Sequence, residues 1–286
     1  MLKTKQKIAL ANLVQSLVMG IRRLRGQGAI AAVRRSDVWW ELDLREGIDF
    51  SIWLLGSFEP GTVRCYQRTV NDGDVVLDIG ANIGAHTLLL ARAVGSAGKV
   101  YAFEPTDYAY AKLLKNCSLN PDLSGRIHCF QTMLVDQDAT GDQPPPLYSS
   151  WPLSEVAGLH ELHQGRLMTT TNAETRTLDS VLLSLNLERV DFIKLDIDGF
   201  ECGMLRGASE VMARWHPIIV MELAPYALEE QGASLGELIA LLTKYGYALY
   251  ELSSAAPLAM DPEVLEKQIP PGASLNVIAR PTFVPE

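Results

Sequence analysis

The sequence has no Cys-x-x-Cys pair; its four cysteines, Cys65, Cys117, Cys129 and Cys202, are scattered along 286 residues. That spacing suggests neither a zinc site nor a disulfide framework, and reduced thiols in a cytoplasmic protein are the simpler reading. Long apolar runs are missing too. No stretch approaches the roughly 20 residues needed to span a bilayer, and the nearest candidate, Ile8 to Ile21, is interrupted by Asn12, Gln15 and Ser16. The same run makes a poor signal peptide, because Arg22 and Arg23 follow where small residues would mark a cleavage site. Internal repeats and low-complexity tracts are absent, and 48% hydrophobic with 21% charged residues is the composition of a chain that builds a core. Acids are absent from the first 36 positions. That segment carries a charge of +8, which leaves the rest at −17 for a total of −9. A body so acidic lacks the broad basic face that phosphates require, which argues against a nucleic-acid partner.

The length fits one main domain with an N-terminal extension. Residues 1–36 are expected to form a basic amphipathic helical extension, since Leu10, Leu13, Val14, Leu17, Val18, Ile21 and Leu24 recur on one helical face. Such a helix either lies on an anionic membrane surface as a peripheral contact or packs on protein, its own domain or a second subunit of a homo-oligomer. Residues 37–70 read as a small cap, in which Trp39 to Leu44 alternates as a strand or hairpin before a helix. Residues 71–286 then alternate strands and helices. The strand candidates are Val75–Ile79, Lys99–Phe103, Ile127–Thr132, Phe192–Leu195, Ile218–Glu222, Tyr247–Glu251 and Leu275–Arg280. Helices are expected at Ile83–Val94, Asp107–Asn120, Cys202–Trp215 and Ser234–Tyr245. This rhythm predicts an α/β fold, a doubly wound, mostly parallel seven-stranded sheet with its last strand antiparallel. Residues 138–175 break the rhythm and read as an inserted loop, a candidate lid.

Val75 to Gly84 is a buried strand entering a glycine turn. Gly80 permits close approach of backbone to ligand, and Gly84 lets the following helix pack tightly. Glu104 ends the next strand, 24 residues after Gly80. A carboxylate there can accept hydrogen bonds from ribose hydroxyls, each contributing about 1.5–3 kcal/mol. An NAD-dependent oxidoreductase uses similar geometry, but its first glycine would fall at Asp78. A pyrophosphate also needs a helix N-terminus free of acid. S-adenosyl-L-methionine instead brings an ammonium and a sulfonium, which an acid near the turn suits.

The second constellation runs from Asp191 to Glu201. Lys194, mid-strand, requires a partner, and Asp196, Asp198 or Glu222 are candidates. Methyl transfer to a hydroxyl requires in-line alignment and loss of the hydroxyl proton. Asp196 or Asp198 would act as general base, or Asp196, Asp198 and Glu222 would hold a divalent metal. The bland alternative is that these acids cap the next helix.

Together, Gly56-Ser57-Phe58-Glu59-Pro60, Val76 to Gly84, Phe103-Glu104-Pro105, Thr177-Leu178-Asp179 and Phe192 to Glu201 resemble the FkbM-type methyltransferase family over roughly Leu42 to Arg280. The resemblance implies the class I methyltransferase (Rossmann-like) fold and O-methylation of a sugar, glycan or secondary-metabolite hydroxyl, a small-molecule or glycan acceptor, with S-adenosyl-L-methionine as donor. It implies cofactor contacts along Asp78, Gly80, Ala81, Asn82, Gly84, Glu104, Pro105 and Asp196, with Glu59 and Tyr66 covering the cofactor's amino-acid end. The family more often carries Glu where this chain has Asp198. Smaller candidates are His86 as a catalytic or purely structural histidine, and Trp151, with Tyr148, His160 and His163, as a sugar-stacking or loop-anchoring group. Neither Asn-Pro-Pro-Tyr nor Asp-Pro-Pro-Tyr occurs, which weakens N-methylation of a base or of glutamine. A different class of reading, a peripheral membrane-binding module with a vestigial cofactor fold, rests on the basic extension alone.

Overall fold

The computed structural model describes residues 4–138, 144–149, 152–153 and 165–282, with side chains from residue 12 onward. Helix α1 (Thr4–Leu24) precedes a hairpin of β1 (Ile30–Arg35) and β2 (Val38–Asp43), then helices α2 (Gly47–Leu55) and α3 (Pro60–Thr69). Strands and helices then alternate through β3 (Val75–Ile79), α4 (Thr87–Ala93), β4 (Lys99–Phe103), α5 (Asp107–Ser118), the single turn α6 (Pro121–Ser124) and β5 (Ile127–Phe130). Four short strands follow, β6 (Thr132–Leu134), β7 (Leu147–Ser149), β8 (Arg166–Met168) and β9 (Glu174–Arg176). The C-terminal half comprises α7 (Leu178–Ser184), β10 (Phe192–Leu195), α8 (Glu201–Arg206), α9 (Ser209–Trp215), β11 (Ile218–Leu223), α10 (Pro225–Glu230), α11 (Leu235–Lys244), β12 (Tyr247–Glu251), α12 (Pro262–Gln268) and β13 (Leu275–Pro281).

The main sheet has seven strands in the order β12-β13-β11-β10-β3-β4-β5. β13, the last in the chain, runs antiparallel and lies between β11 and β12. The strand order reverses between β3 and β10, which pair in parallel, and that reversal opens a crevice at their carboxyl ends. Alternate residues face opposite layers. Leu77, Ile79, Ile193, Leu195, Ile219 and Met221 pack under the C-terminal helices. Val76, Phe192, Val220 and Ile278 pack under α4 and the N-terminal elements, where Trp40, Leu42 and Leu44 complete the layer.

Several boundaries differ from the sequence expectation for local reasons. The helix after the glycine turn starts at Thr87 rather than Ile83, because Asn82 and Gly84 have φ of 49° and 87°, outside the helical region. The helix expected over Cys202–Trp215 is two, broken at Gly207, where a Cβ would sit 2.0 Å from the Val135 carbonyl oxygen. Strand β5 ends at Phe130, and Thr132–Leu134 pairs instead with β9. The stretch 30–35, expected within a helical extension, is a strand of the hairpin. Within 138–175, β7 and β8 form an antiparallel pair, Tyr148 opposite Leu167.

The hairpin is fastened by side chains that stand in for a neighbouring strand. The Trp39 N–H donates to Asn120 Oδ1 and Asn120 Nδ2 donates back to the Trp39 carbonyl, both at 2.8 Å. The Glu41 N–H donates to Asn116 Oδ1 (3.0 Å), whose Nδ2 reaches the Ile83 carbonyl (2.9 Å). Both asparagines are buried. Removing Asn120 strands the N–H and carbonyl of Trp39 in β2, each costing about 1–3 kcal/mol. Asn120→Ala should therefore lower unfolding free energy by about 2–4 kcal/mol, read from urea denaturation.

Candidate active site

The apolar layer beneath α4 ends in polar residues where β3, β10 and β11 reach the crevice. Asp78 and Lys194 are directly opposed across the β3–β10 pair, on the same face as Val76 and Phe192 one rung below. Lys194 Nζ lies 3.2 Å from Asp196 Oδ2 and 3.8 Å from Asp78 Oδ1, and donates to the Gly80 carbonyl at 3.1 Å. Burial alone would make this amine easier to deprotonate, but Asp196 and Asp78 outweigh it and hold the proton more tightly than usual. Asp78 is wholly buried, and its Oδ2 accepts from Thr87 Oγ1 at 2.6 Å. It thus ties the sheet to the first turn of α4.

The glycine turn sits on this pair. Gly80 has φ 80°, and a Cβ there would fall 1.8 Å from the Asp196 carbonyl oxygen. Gly80 N–H and the N–H of buried Ala81 both donate to the Phe103 carbonyl (3.0 and 2.9 Å), stitching the turn to the end of β4. Glu104 follows at once. Its Oε2 accepts from the Asn82 N–H (2.9 Å), and its Oε1 from the N–H and Oγ1 of Thr106 (2.9 and 2.5 Å). A carboxylate offers about four acceptor positions, so one remains for a ligand hydroxyl. Burial pushes Glu104 upward against these donors. Pro105 is half-buried beside it. Gly84 packs against Leu113 and leads to His86. Asn82 Nδ2 donates to Ser149 Oγ on β7 at 3.1 Å, linking the turn to the inserted segment.

Across the crevice, Glu59 adopts a left-handed conformation (φ 43°) at the start of α3. Its Oε1 accepts from Asn276 Nδ2 (3.1 Å) and its Oε2 from Thr62 Oγ1 (3.0 Å). His86 Nε2 is 3.8 Å from Glu59 Oε2, and the His86 ring meets those of Tyr66 and Phe58 at 5.9 Å. Burial, reinforced by Lys194, holds His86 neutral. Both His86 nitrogens, Tyr66 Oη and Asp78 Oδ1 are buried without a hydrogen-bond partner in the protein. Such groups call for a polar ligand.

The next rung is carboxylate-rich. Asp196 is the more open acid, its side chain 28% exposed. Asp198 (φ 50°) lies on the turn after β10, and burial together with Asp196 and Glu201 raises its proton affinity well above the usual range. Glu222, which accepts from Ser274 Oγ, is raised by burial, Asp196 and Glu59. Among the described residues no group of three or more His, Cys, Asp or Glu side chains is arranged to hold a metal ion. Trp151, His160 and His163 lie outside the described residues, and Tyr148 is 39% exposed on β7.

Thr87, Thr106, Asn276 and Ser149 escaped the sequence reading. Thr87 and Thr106 sit two or three positions beyond recognised motif residues, which is a usable signal. Asn276 and Ser149 are more than 65 positions from their partners and left none.

A seven-stranded sheet of this order, a glycine cradle that a methyl group would fill, a buried acid at the end of the neighbouring strand and a buried polar end are those of a class I, S-adenosylmethionine-dependent methyltransferase. The model of the methyltransferase FkbM domain matches residues 78–249, and the chain belongs to that family. Curated relatives include methyltransferase sdnD of Sordaria araneosa, 26% identical over 60% of this chain and 78% of that protein. The 31-O-demethyl-FK506 methyltransferase FkbM of Streptomyces tacrolimicus is 27% identical over 66% and 79%. Hexuronic acid methyltransferase AglP of Haloferax volcanii is 24% identical over 59% and 65%. The family membership sets aside the oxidoreductase reading of the turn.

Two outcomes test this geometry. Gly80→Ala should weaken S-adenosylmethionine binding by about a hundredfold in calorimetric titration, because a Cβ cannot coexist with the Asp196 carbonyl. The second concerns Glu201, buried and accepting from the N–H groups of Ile197 and Gly199, whose pKa burial raises to about 7. As pH rises from about 4.5 to 7 the unfolded chain releases this proton first, so the folded state loses about 3 kcal/mol across that window. Glu201→Gln lacks this loss, and urea unfolding from pH 4.5 to 7.5 should show the variant gaining on the wild type by that amount.

Proposed function

We propose that the chain methylates a hydroxyl oxygen of a sugar, glycan or secondary metabolite. The observation that carries this reading is the buried Lys194, which holds the open carboxylate Asp196 at the strand switch beside the glycine turn. The likeness to a hexuronic acid methyltransferase and to a 31-O-demethyl-FK506 methyltransferase supports the acceptor class.

S-adenosylmethionine supplies an electrophilic methyl group and a positive charge beside the strand ends. Glu104, with one acceptor position left, holds the ribose, and Gly80 gives the backbone its close approach. Glu59 and the unpartnered atoms of Tyr66 and His86 meet the polar amino-acid end. Asp196, anchored by Lys194, orients the acceptor hydroxyl. Asp198 takes its proton. Burial, with Asp196 and Glu201 nearby, raises the proton affinity of Asp198, which would favour it as the proton acceptor.

Asp198→Asn should lower kcat by about 10²–10⁴-fold with little change in KM for S-adenosylmethionine. Methyl-labelled donor, offered with hexuronic acid glycosides and with hydroxylated macrolides, should leave label in an ether that survives mild alkali. Alkali-labile label would mark a carboxylate acceptor and overturn the reading.

A further inference from the structure

Helix α1 has two apolar faces, and only one is used. Val14, Val18 and Met19 pack on the core beneath the hairpin, and buried Gln15 donates from Nε2 to the Leu44 carbonyl at 3.1 Å. Arg22 fixes the end of the helix by donating to the carbonyls of Gly28 (3.0 Å) and Ile30 (3.2 Å). On the other side Leu13, Leu17 and Leu24 are 70%, 66% and 90% exposed, with Ile21 at 44%. Their spacing of i, i+4, i+8 and i+11 aligns them in one stripe along the helix. Eight of the thirteen exposed large apolar side chains among the described residues fall between positions 13 and 55, so the exposure is concentrated rather than scattered.

Charge selects the occupant. Arg23 and Arg25 are exposed at the C-terminal end of the stripe, Lys3, Lys5 and Lys7 precede it in sequence, and residues 1–36 contain no acid. A second copy applying the same face would oppose two segments of +8, a repulsive pairing. No helix among the described residues is long and apolar enough to cross a membrane. We propose that the outer face of α1 docks on an anionic lipid surface, with the leucine stripe at the headgroup–acyl boundary and the basic residues toward acidic headgroups. The catalytic crevice would then work beside a membrane, a property independent of the acceptor proposed above.

Deleting residues 1–36 would also remove β1, so substitutions make the cleaner test. The full chain should float with vesicles of phosphatidylcholine mixed with phosphatidylglycerol, not with phosphatidylcholine alone, and less as salt is raised. Leu13→Glu/Leu17→Glu/Leu24→Glu, at exposed positions, should reduce flotation at least about tenfold while leaving S-adenosylmethionine binding unchanged. If that variant does not fold, Arg23→Ser/Arg25→Ser should give a smaller loss in the same direction. No flotation with anionic vesicles at physiological ionic strength overturns the proposal, as does equal flotation of a folded variant. A dimer that the leucine substitutions convert to monomer, without vesicle binding, would assign the stripe to a second copy instead.

Discussion

The contact on which the rest depends is the buried ion pair of Asp78 and Lys194 across the central strands. A charge within a sheet covered on both faces is costly unless matched and hydrogen-bonded. Here the matching groups are the acid near the end of β3, the carbonyl of Gly80 in the turn after it, and the acid following β10. The backbone ladder sets the separation of the two strands, and the lysine holds the Gly80 carbonyl and Asp196 together where the topology opens. Losing the amine would leave Asp78 with Thr87 alone and Asp196 without an anchor.

Around that pair the sheet changes character in one step. Val76, Phe192 and Ile218 share one apolar rung, and the next holds Asp78 and Lys194 beside Val220, with Glu222 two residues further along β11. Folding energy comes from the lower rung and chemistry from the upper. Burial, reinforced by the proximity of Asp196 to each, raises the proton affinity of Glu59, Asp198 and Glu222. A ligand carrying positive charge relieves this crowding; its neutral product does not.

The central sheet was legible because its middle strands β3, β4, β10 and β11 are runs of four or more largely buried residues, and even Lys194 could be read as needing a partner. The glycine turn and Glu104 were legible through their spacing. The hairpin strand Ile30–Arg35 was not: its exposed face, Ile30, Ala32 and Arg34, is mostly apolar, so apolar and polar residues do not alternate and it merges with the helix before it. Asn116 and Asn120 resemble ordinary helix residues until the strand they serve, more than 70 positions earlier, is in place. Asp78 was read as an acid near the cofactor; in the fold it is buried beneath the turn, its Oδ2 committed to Thr87 and its Oδ1 3.8 Å from Lys194 with no hydrogen-bond partner in the protein.

Asn82 stands between two segments that the chain separates widely. Its backbone amide steadies Glu104 while its side chain holds Ser149 on the inserted segment. Thermodynamic linkage makes such a joint reciprocal. If displacing β7 loosens the grip on the donor by some factor, a bound donor must resist displacement of β7 by the same factor. Asn82 thereby joins the glycine turn and Glu104 to β7, so that the two segments are not displaced independently.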